Sequence, residues 1–411
     1  MQISIANFIF QRLAAQLSMD DQSPIRTFDC PNSENYSDLH IKALSLEIEC
    51  TANAKCRYQL RLENGQQAQN QHIEKVGWML VKIYVALHAG LRESFIDKTA
   101  RKRLDALGAS CWNGEDPIPP SVLKEKLAGV EALVTGWGNP LITEEMAEGA
   151  PLKIIIHTGG SVGSLVAPGI YGKGVKVISG NAYFAESVAE GVIACMLFAL
   201  RKMGKASGCL GSGIWKAPDE LETEGLLDQR VGLVSLGAIS KKVLELGRAF
   251  RVRFSVFSTH RDEALAERMG FSYASLEEIF SQCKIVSIHT AARPETKGMI
   301  TGELLRLLRP DSIFINTARA SVVDEEALAA CLKEGRFRAV LDVFGKEPLP
   351  IGDPLTGLEN AMLFPHCAGP TFDRRGFITN KLLDDFESFL KGGPMENEIS
   401  ESEFSRMTVL G

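Results

Sequence analysis

The sequence predicts an α/β fold of two domains, each built on a parallel sheet and the second of them doubly wound. Three observations carry this. From Trp78 onward, short apolar and β-branched runs alternate with helical patterns, the signature of βαβ units. The runs fall into two series, one on each side of a long apolar helix. Length and composition are those of a folded chain: 411 residues, 45% hydrophobic and 23% charged, enough for two or three domains.

The same numbers exclude other classes. This composition is not that of a disordered, collagen-like or disulfide-rich chain. The formal charge is -6, which argues against a dedicated nucleic-acid binder. No run reaches the roughly 18 apolar residues of a membrane span; the longest, Gly191 to Leu200, is closed by Glu190 and Arg201. The opening MQISIANFIF has no early Lys or Arg, so no secretory signal is expected. Nine Cys lie scattered without a C-x-x-C pair or zinc spacing. That predicts free thiols, a cytoplasmic location and no metal site.

Residues 1–75 stand apart as an extension with no assigned element. They hold a short amphipathic start (Ile5 to Leu17), weak alternation (Ala43 to Ile48) and a polar linker (Asn64 to His72). A loosely ordered extension is the expectation, with a small partner-binding module as the alternative. The first series of strands is Val81 to Leu87, Ala132 to Thr135, Ile154 to His157 and Val175 to Ile178, with helices at Pro120 to Lys126 and Thr143 to Glu148. Ala185 to Met203 forms the joining helix. The second series is 231–236, 252–257, 285–290, 312–317, 339–344 and 361–366. Six strands of this kind fit a dinucleotide-binding domain. A last helix near Asn380 to Leu390 has no strand after it and folds back on the first domain.

The strand VGLVSL runs into a turn and then a helix, as a dinucleotide fingerprint requires. Where G-x-G-x-x-G is expected, the chain reads Ser235-Leu236-Gly237-Ala238-Ile239-Ser240. Only the middle glycine remains, the one that lets backbone approach a pyrophosphate. Phosphate would meet the free N–H groups of Gly237, Ala238 and Ile239 at the helix start. Taken alone, the segment reads equally well as a plain βα turn. About 20 residues on, NAD enzymes place an acid on the ribose. Here stand Ser258, Thr259, His260 and Arg261. Arg261 suits a 2′-phosphate, so NADP is favoured over NAD; the plainer reading has Arg261 paired with Asp262 or Glu263 in solvent.

The second half then becomes specific. INTARASVVDEEAL (315–328), LDVFGKEPLP (341–350) and FPHCAGPT (364–371) follow in order, preceded by HTAARPETKGMIT (289–301) and NAYFAESVAEGVIACMLFALR (181–201). Together these resemble the signature segments of the D-isomer-specific 2-hydroxyacid dehydrogenases. The resemblance covers about Val81 to Thr408. It implies an NAD(P)-binding Rossmann domain at 183–371 and a flavodoxin-like substrate domain at 76–182 and 372–411. It also implies a homodimer through the joining helix and the segment Lys205 to Glu224, and closure of the two domains over a small 2-oxo or 2-hydroxy acid. No nucleic acid or membrane partner is expected.

The family's catalytic trio falls on Arg319, Glu347 and His366. Reduction of a 2-oxo acid needs a hydride, a proton for the carbonyl oxygen and a cation for the carboxylate. Arg319 offers a planar fork to that carboxylate and oxygen. His366 is the acid and base, since imidazole titrates near neutral pH, and Glu347 orients it and favours its cation. The resemblance puts Asp342 on the nicotinamide carboxamide, and Thr290, Thr317, Ala318 and Gly369 around the cofactor. His289 reads as structural or near the cofactor. A Cys367–His366 nucleophile is disfavoured, because adjacent strand residues face opposite ways.

Gly159, Gly160 and Ser161, after the strand Ile154 to His157, form a candidate carboxylate cradle. They depart from the family's G-V-G, which puts the substrate side chain in question. Trp137 lines the same cleft or packs in the core. The expected activity is reversible hydride transfer between NAD(P)H and a 2-oxo acid. A cofactor-sensing, corepressor-like protein is the alternative outside enzymes. Within enzymes the alternatives are glyoxylate/hydroxypyruvate and 3-phosphoglycerate dehydrogenases. Glu347 stands where the formate dehydrogenase branch has Gln, which disfavours that branch.

Overall fold

A computed structural model describes residues 25–29, 41–50, 55–64, 75–78, 81–114, 117–216 and 219–409. The chain divides into two compact units, Met1–Val81 and Lys82–Gly411.

The first unit corrects the view of residues 1–75 as lacking elements. It contains strands β1 (Ile25–Asp29), β2 (Ile41–Cys50), β3 (Lys55–Asn64) and β4 (Lys75–Trp78), paired antiparallel in that order. The register sets Leu44 opposite Leu62, Leu46 opposite Leu60 and Ile48 opposite Tyr58. Both strands alternate with period two, as a sheet with one apolar face does. Only the Ala43 to Ile48 part of that alternation entered the sequence reading. The amphipathic start lies outside the described residues, and the linker does too apart from Asn64, which ends β3.

The second unit opens with β5 (Ile83–Val85), α1 (Ala89–Phe95), α2 (Lys98–Leu107), β6 (Ala109–Trp112), α3 (Pro120–Leu127), β7 (Ala132–Thr135), β8 (Ile154–His157), α4 (Gly169–Gly172) and β9 (Lys176–Ser179). Its sheet is parallel, in the order β6-β5-β7-β8-β9, the flavodoxin order 2-1-3-4-5. Helices α5 (Asn181–Leu200) and α6 (Met203–Gly211) lead out of it.

Then come β10 (Arg230–Val234), α7 (Ala238–Gly247), β11 (Arg253–Phe257), α8 (Glu263–Met269), β12 (Phe271–Tyr273), α9 (Leu276–Gln282), β13 (Ile285–Ile288), α10 (Gly302–Leu307), β14 (Ile313–Asn316), α11 (Glu325–Lys333), β15 (Arg338–Leu341) and β16 (Ala361–Leu363). These seven strands form one parallel sheet, β12-β11-β10-β13-β14-β15-β16. The strand order reverses at β10, between β11 and β13, so the ligand crevice opens at the carboxyl ends of β10 and β13. Helices α12 (Phe372–Leu390) and α13 (Glu401–Phe404) complete the chain's described elements.

Both sheets are covered on their faces, so their central strands read as unbroken apolar runs. Val188, Val192, Met196 and Leu200 of α5 pack with Val231, Leu233, Val243 and Leu244 on one face of the larger sheet. Phe280, Phe314, Phe337 and Leu305 fill the other face. Among the described residues α5 is the one helix long and apolar enough to cross a membrane by length and composition. Here it packs on α7, β14 and β15. Helix α12 returns to the first sheet and packs on α1, α2 and β9. Arg103 of α2 holds it, reaching Asp384 and Glu387 at 2.9 Å each and the Asn380 carbonyl at 2.8 Å.

Several details differ from expectation. Thr143 to Glu148 is a run of turns, not a helix, and Gly149 leaves it at φ +69. Strand β10 stops at Val234 because Ser235 turns to φ +82. The joining helix begins earlier, at Asn181, and breaks where Lys202 adopts φ +49. The short edge strands β6 and β12 were not anticipated, since three or four residues show no readable period.

Candidate active site

A cavity of about 740 Å³ lies where the carboxyl ends of the larger sheet face the smaller one, and Arg319, Asp342 and His366 line it. Each is carried by the end of a strand. Arg319 follows β14, where Asn316 braces the loop: its amide donates to the Arg319 carbonyl (3.1 Å) and accepts from the Ala318 N–H (3.0 Å). The guanidinium donates to the Ala318 carbonyl at 2.6 Å. Burial draws its pKa down and the Glu347 charge opposes that; with so high a starting value it remains a cation.

His366 follows β16 with φ +51. Its Nδ1 lies 2.7 Å from Glu347 Oε2, while the other Glu347 oxygen accepts the Phe344 N–H at 3.0 Å. Glu347 is thus fixed at both oxygens, and Nε2 is the ring nitrogen left to face a ligand. Burial raises the Glu347 carboxyl, but the His366 and Phe344 hydrogen bonds and the His366 and Arg319 charges outweigh it, and its pKa ends below the ordinary value. Asp342, buried after β15, accepts from the N–H groups of Cys367 (2.7 Å) and Ala368 (2.9 Å). It therefore anchors the loop that carries His366. The Cys367 thiol is pushed up by burial and by Asp342, the reverse of what a thiolate nucleophile needs.

Gly237, Ala238, Ile239, Thr290, Thr317, Ala318 and Gly369 line the same cavity. Helix α7 starts at Gly237 with no side-chain cap, and a Cβ on Gly237 would meet nothing within 4 Å. Its first N–H groups therefore have no side-chain acceptor, and the backbone at Gly237 is open to close approach, the arrangement that receives phosphate. Buried His289 has no hydrogen-bond partner at either ring nitrogen, and Thr317 has none at its hydroxyl. Burial pushes the His289 pKa down to about 3, so the ring is neutral. Orphaned polar atoms on a cavity wall call for a polar ligand. With the uncapped α7, they fit a dinucleotide.

Ser258 and Arg261 do not line this cavity. They lie beyond β11, where the Ser258 hydroxyl donates to the His260 carbonyl (2.7 Å) and Arg261 sits over the Tyr273 ring at 5.5 Å. Arg261 pairs with neither Asp262 nor Glu263; Asp262 instead caps α8. Gly160 and Ser161 line the cavity and Gly159 does not. The loop's glycines have steric reasons of their own. A Cβ at Gly159 would lie 2.3 Å from the His157 ring, one at Gly160 3.2 Å from Phe184, and one at Gly163 2.3 Å from the Thr408 carbonyl. Trp137 lines the cleft, 40% exposed, and meets Phe95 and Phe184 edge-on.

Some cavity residues escaped the sequence reading: Phe184, Arg375, Arg406 and Thr408. Arg375 carried one signal, a cation in the first turn of a long helix, where the dipole disfavours it. Thr408 belongs to a segment that bridges the cleft. Its carbonyl accepts from the Ser161 hydroxyl (3.0 Å) and its own hydroxyl from the Ala292 N–H (3.3 Å). Beside it Val409 donates to the Ala292 carbonyl at 3.1 Å, and Arg293 donates to the Ser405 carbonyl.

This geometry has counterparts. The family description "D-isomer specific 2-hydroxyacid dehydrogenase, NAD binding domain" matches residues 193–368. The glyoxylate reductase of Thermococcus litoralis is 30% identical over 289 residues, 68% of this chain and 87% of that one. The chain belongs to the D-isomer specific 2-hydroxyacid dehydrogenases. The glyoxylate reductase of Korarchaeum cryptofilum is 29% identical over 295 residues, covering 71% of this chain and 89% of its own. The TT0316 protein of Thermus thermophilus aligns over 78% of this chain and all of its own, with a TM-score of 0.64 and 25% identity. This D-isomer specific 2-hydroxyacid dehydrogenase is accordingly an NAD(P)-dependent oxidoreductase of 2-hydroxy acids.

Proposed function

We propose that this dehydrogenase reduces a small 2-oxo acid to the D-2-hydroxy acid with NADPH, using Arg319, His366 and Glu347. The carrying observation is the 2.7 Å His366–Glu347 pair opening on the cavity that Arg319 and the uncapped α7 also line. When bound, the reduced nicotinamide supplies the hydride. Arg319 holds the substrate carboxylate and polarises the carbonyl oxygen. His366 gives its proton to that oxygen from Nε2, and takes it back in the reverse direction. Glu347, ionised, keeps Nδ1 protonated and the ring in register. Asp342 holds the His366 loop and, with Thr290, Thr317, Ala318 and Gly369 on the same cavity wall, would hold the nicotinamide end of the cofactor. Gly160 and Ser161 present the first half to the substrate.

The choice of NADP rests on Arg261 and Ser258 beyond β11, a cation and a hydroxyl where an acid would serve a bare ribose. A homodimer accounts for the exposed Met203, Leu210, Ile214 and Trp215 after α5, which a second copy would cover. The described cysteines are free thiols, which suits a reducing compartment such as the cytoplasm. A corepressor-like sensor is not favoured, since the curated relatives are reductases and dehydrogenases.

The test is NAD(P)H oxidation across a panel of 2-oxo acids, from glyoxylate, hydroxypyruvate and pyruvate to bulkier ones, with both cofactors. Turnover with NADPH at higher kcat/KM than NADH is the expected result. Tight cofactor binding with no turnover of any acid would overturn the enzyme reading, and an NADH preference would overturn the choice of NADP.

A further inference from the structure

The cavity holds more positive charge than a simple 2-oxo acid needs. Three arginines line it: Arg319, Arg375 and Arg406. Arg319 feels the Glu347 carboxylate, and Arg406 lies near enough to Glu403 to lower its pKa. Arg374, beside Arg375, reaches Glu186 at 3.1 Å. Among the described residues no carboxylate comes within ion-pair distance of Arg375.

The Arg375 guanidinium is nonetheless held in place. Its Nε donates to the Pro370 carbonyl and its Nη1 to the Ser94 hydroxyl, both at 3.3 Å. It sits 5.4 Å from the Phe95 ring and 5.6 Å from the Trp137 ring. Nη2 keeps its donors for a ligand. Trp137 and Phe184 stand edge to face, 5.6 Å apart, on the same cavity wall. Ordering a flexible arginine against aromatic rings restricts its rotamers and leaves its charge without a counter-ion. An arriving anion supplies the counter-ion and meets a guanidinium that is already ordered, so little further entropy is lost.

We propose that Arg375 is a specificity-determining residue that binds a second acidic group on the substrate, so that the favoured substrates are 2-oxo dicarboxylic acids. The first carboxylate goes to Arg319, on the reading of the reaction given above, on which this inference rests. The methylenes between the two acids lie along Trp137 and Phe184, and the far carboxylate meets Nη2 of Arg375. A charge-assisted bond of this kind is worth roughly ten- to hundredfold in discrimination.

The experiment compares 2-oxoglutarate with 2-oxopentanoate, which has the same five-carbon chain and lacks the far carboxylate. The wild-type protein is expected to favour 2-oxoglutarate at least tenfold in kcat/KM. In Arg375→Gln that ratio should fall about tenfold or more, chiefly through KM, and Arg375→Lys should keep part of it. Inhibition of the wild type supplies a check that needs no variant: glutarate should inhibit at tenfold lower concentration than pentanoate. Equal use of the two oxo acids, or a ratio that Arg375→Gln leaves unchanged, overturns the proposal. Failure with every 2-oxo acid of the panel overturns the underlying enzyme reading instead, a result distinct from a working enzyme that ignores the second carboxylate.

Discussion

The hydroxyl of Ser240 donates to the main-chain carbonyl of Ser235 across 2.6 Å, joining the two positions where a dinucleotide turn ordinarily carries its outer glycines. Ser235 also shares a hydrogen bond with the Thr290 hydroxyl at 2.8 Å. The turn keeps its course by side-chain bonds where glycine would keep it by freedom of backbone. Ser235 at φ +82 is strained, at a cost of about 1–2 kcal/mol for a side chain in that region.

Glycine should therefore outperform alanine at this position, the reverse of the usual order. Ser235→Ala keeps the strain and loses the Thr290 bond, costing about 1 kcal/mol. Ser235→Gly loses the same bond and relieves the strain. Urea denaturation of the two variants checks this, and a more stable alanine variant would contradict the argument.

His366→Gln should lower turnover by about two to four orders of magnitude, the usual worth of a positioned acid or base. Cofactor binding, followed by fluorescence, should persist because the α7 turn is untouched. Activity within a few-fold of wild type would remove His366 from the proton transfer.

Glu347→Gln should lower kcat for 2-oxo acid reduction by about tenfold or more, because a neutral amide replaces the ionised carboxylate that holds His366 Nδ1 at 2.7 Å. Steady-state rates check this, and turnover close to that of the wild type would show that the pair does not serve the reaction.

Stability should decline as the solution is acidified from about pH 6.5 toward 4. Burial pushes the His157 pKa down to about 4 from 6.5, and that of His289 to about 3. In that window the unfolded chain binds protons that the folded chain refuses, so stability rises with pH. Below about 4, His157 is protonated in both states and adds no further slope. Each histidine can contribute a slope of up to about 1.4 kcal/mol per pH unit. Urea midpoints at pH 7 and pH 5 should lie closer together in His157→Gln than in the wild type; an unchanged gap would argue against burial of a neutral ring.

Cofactor choice should answer to the end of β11. Ser258→Asp adds an acid suited to a ribose hydroxyl and repels a 2′-phosphate. It should lower the kcat/KM ratio of NADPH to NADH, and Arg261→Ala should lower it too. If neither variant moves the ratio, recognition lies elsewhere.

Much of the fold was legible because βαβ architecture writes itself locally. Buried parallel strands such as Ile285–Ile288 and Ile313–Asn316 are short apolar runs between polar turns. The final residues of each run were less legible: β10 ends at Val234, before Ser235, whose backbone conformation no periodicity announces. The candidate site was legible where chemistry sits at strand ends, as with Arg319 and His366. Arg375 and Arg406 were hidden because they reach the cavity from α12 and from the segment after α13, far along the chain. Only tertiary packing brings them there. The glycines of the 159–163 loop misled in part, since Gly159 and Gly163 are required by His157 and Thr408 rather than by a ligand.

The bridge at Thr408 changes how the cleft can move. The chain itself passes between the two sheets at Gly180–Asn181 and again at Thr371–Phe372. Thr408, bonded to Ser161 on one side and Ala292 on the other, is a third tie. Two ties let a pair of rigid bodies swing about the line that joins them; a third one off that line locks the swing like a latch. Release of product by a wide opening therefore has an order, in which the Thr408 bonds and the Val409–Ala292 and Arg293–Ser405 bonds beside them part first and the bodies rotate afterwards.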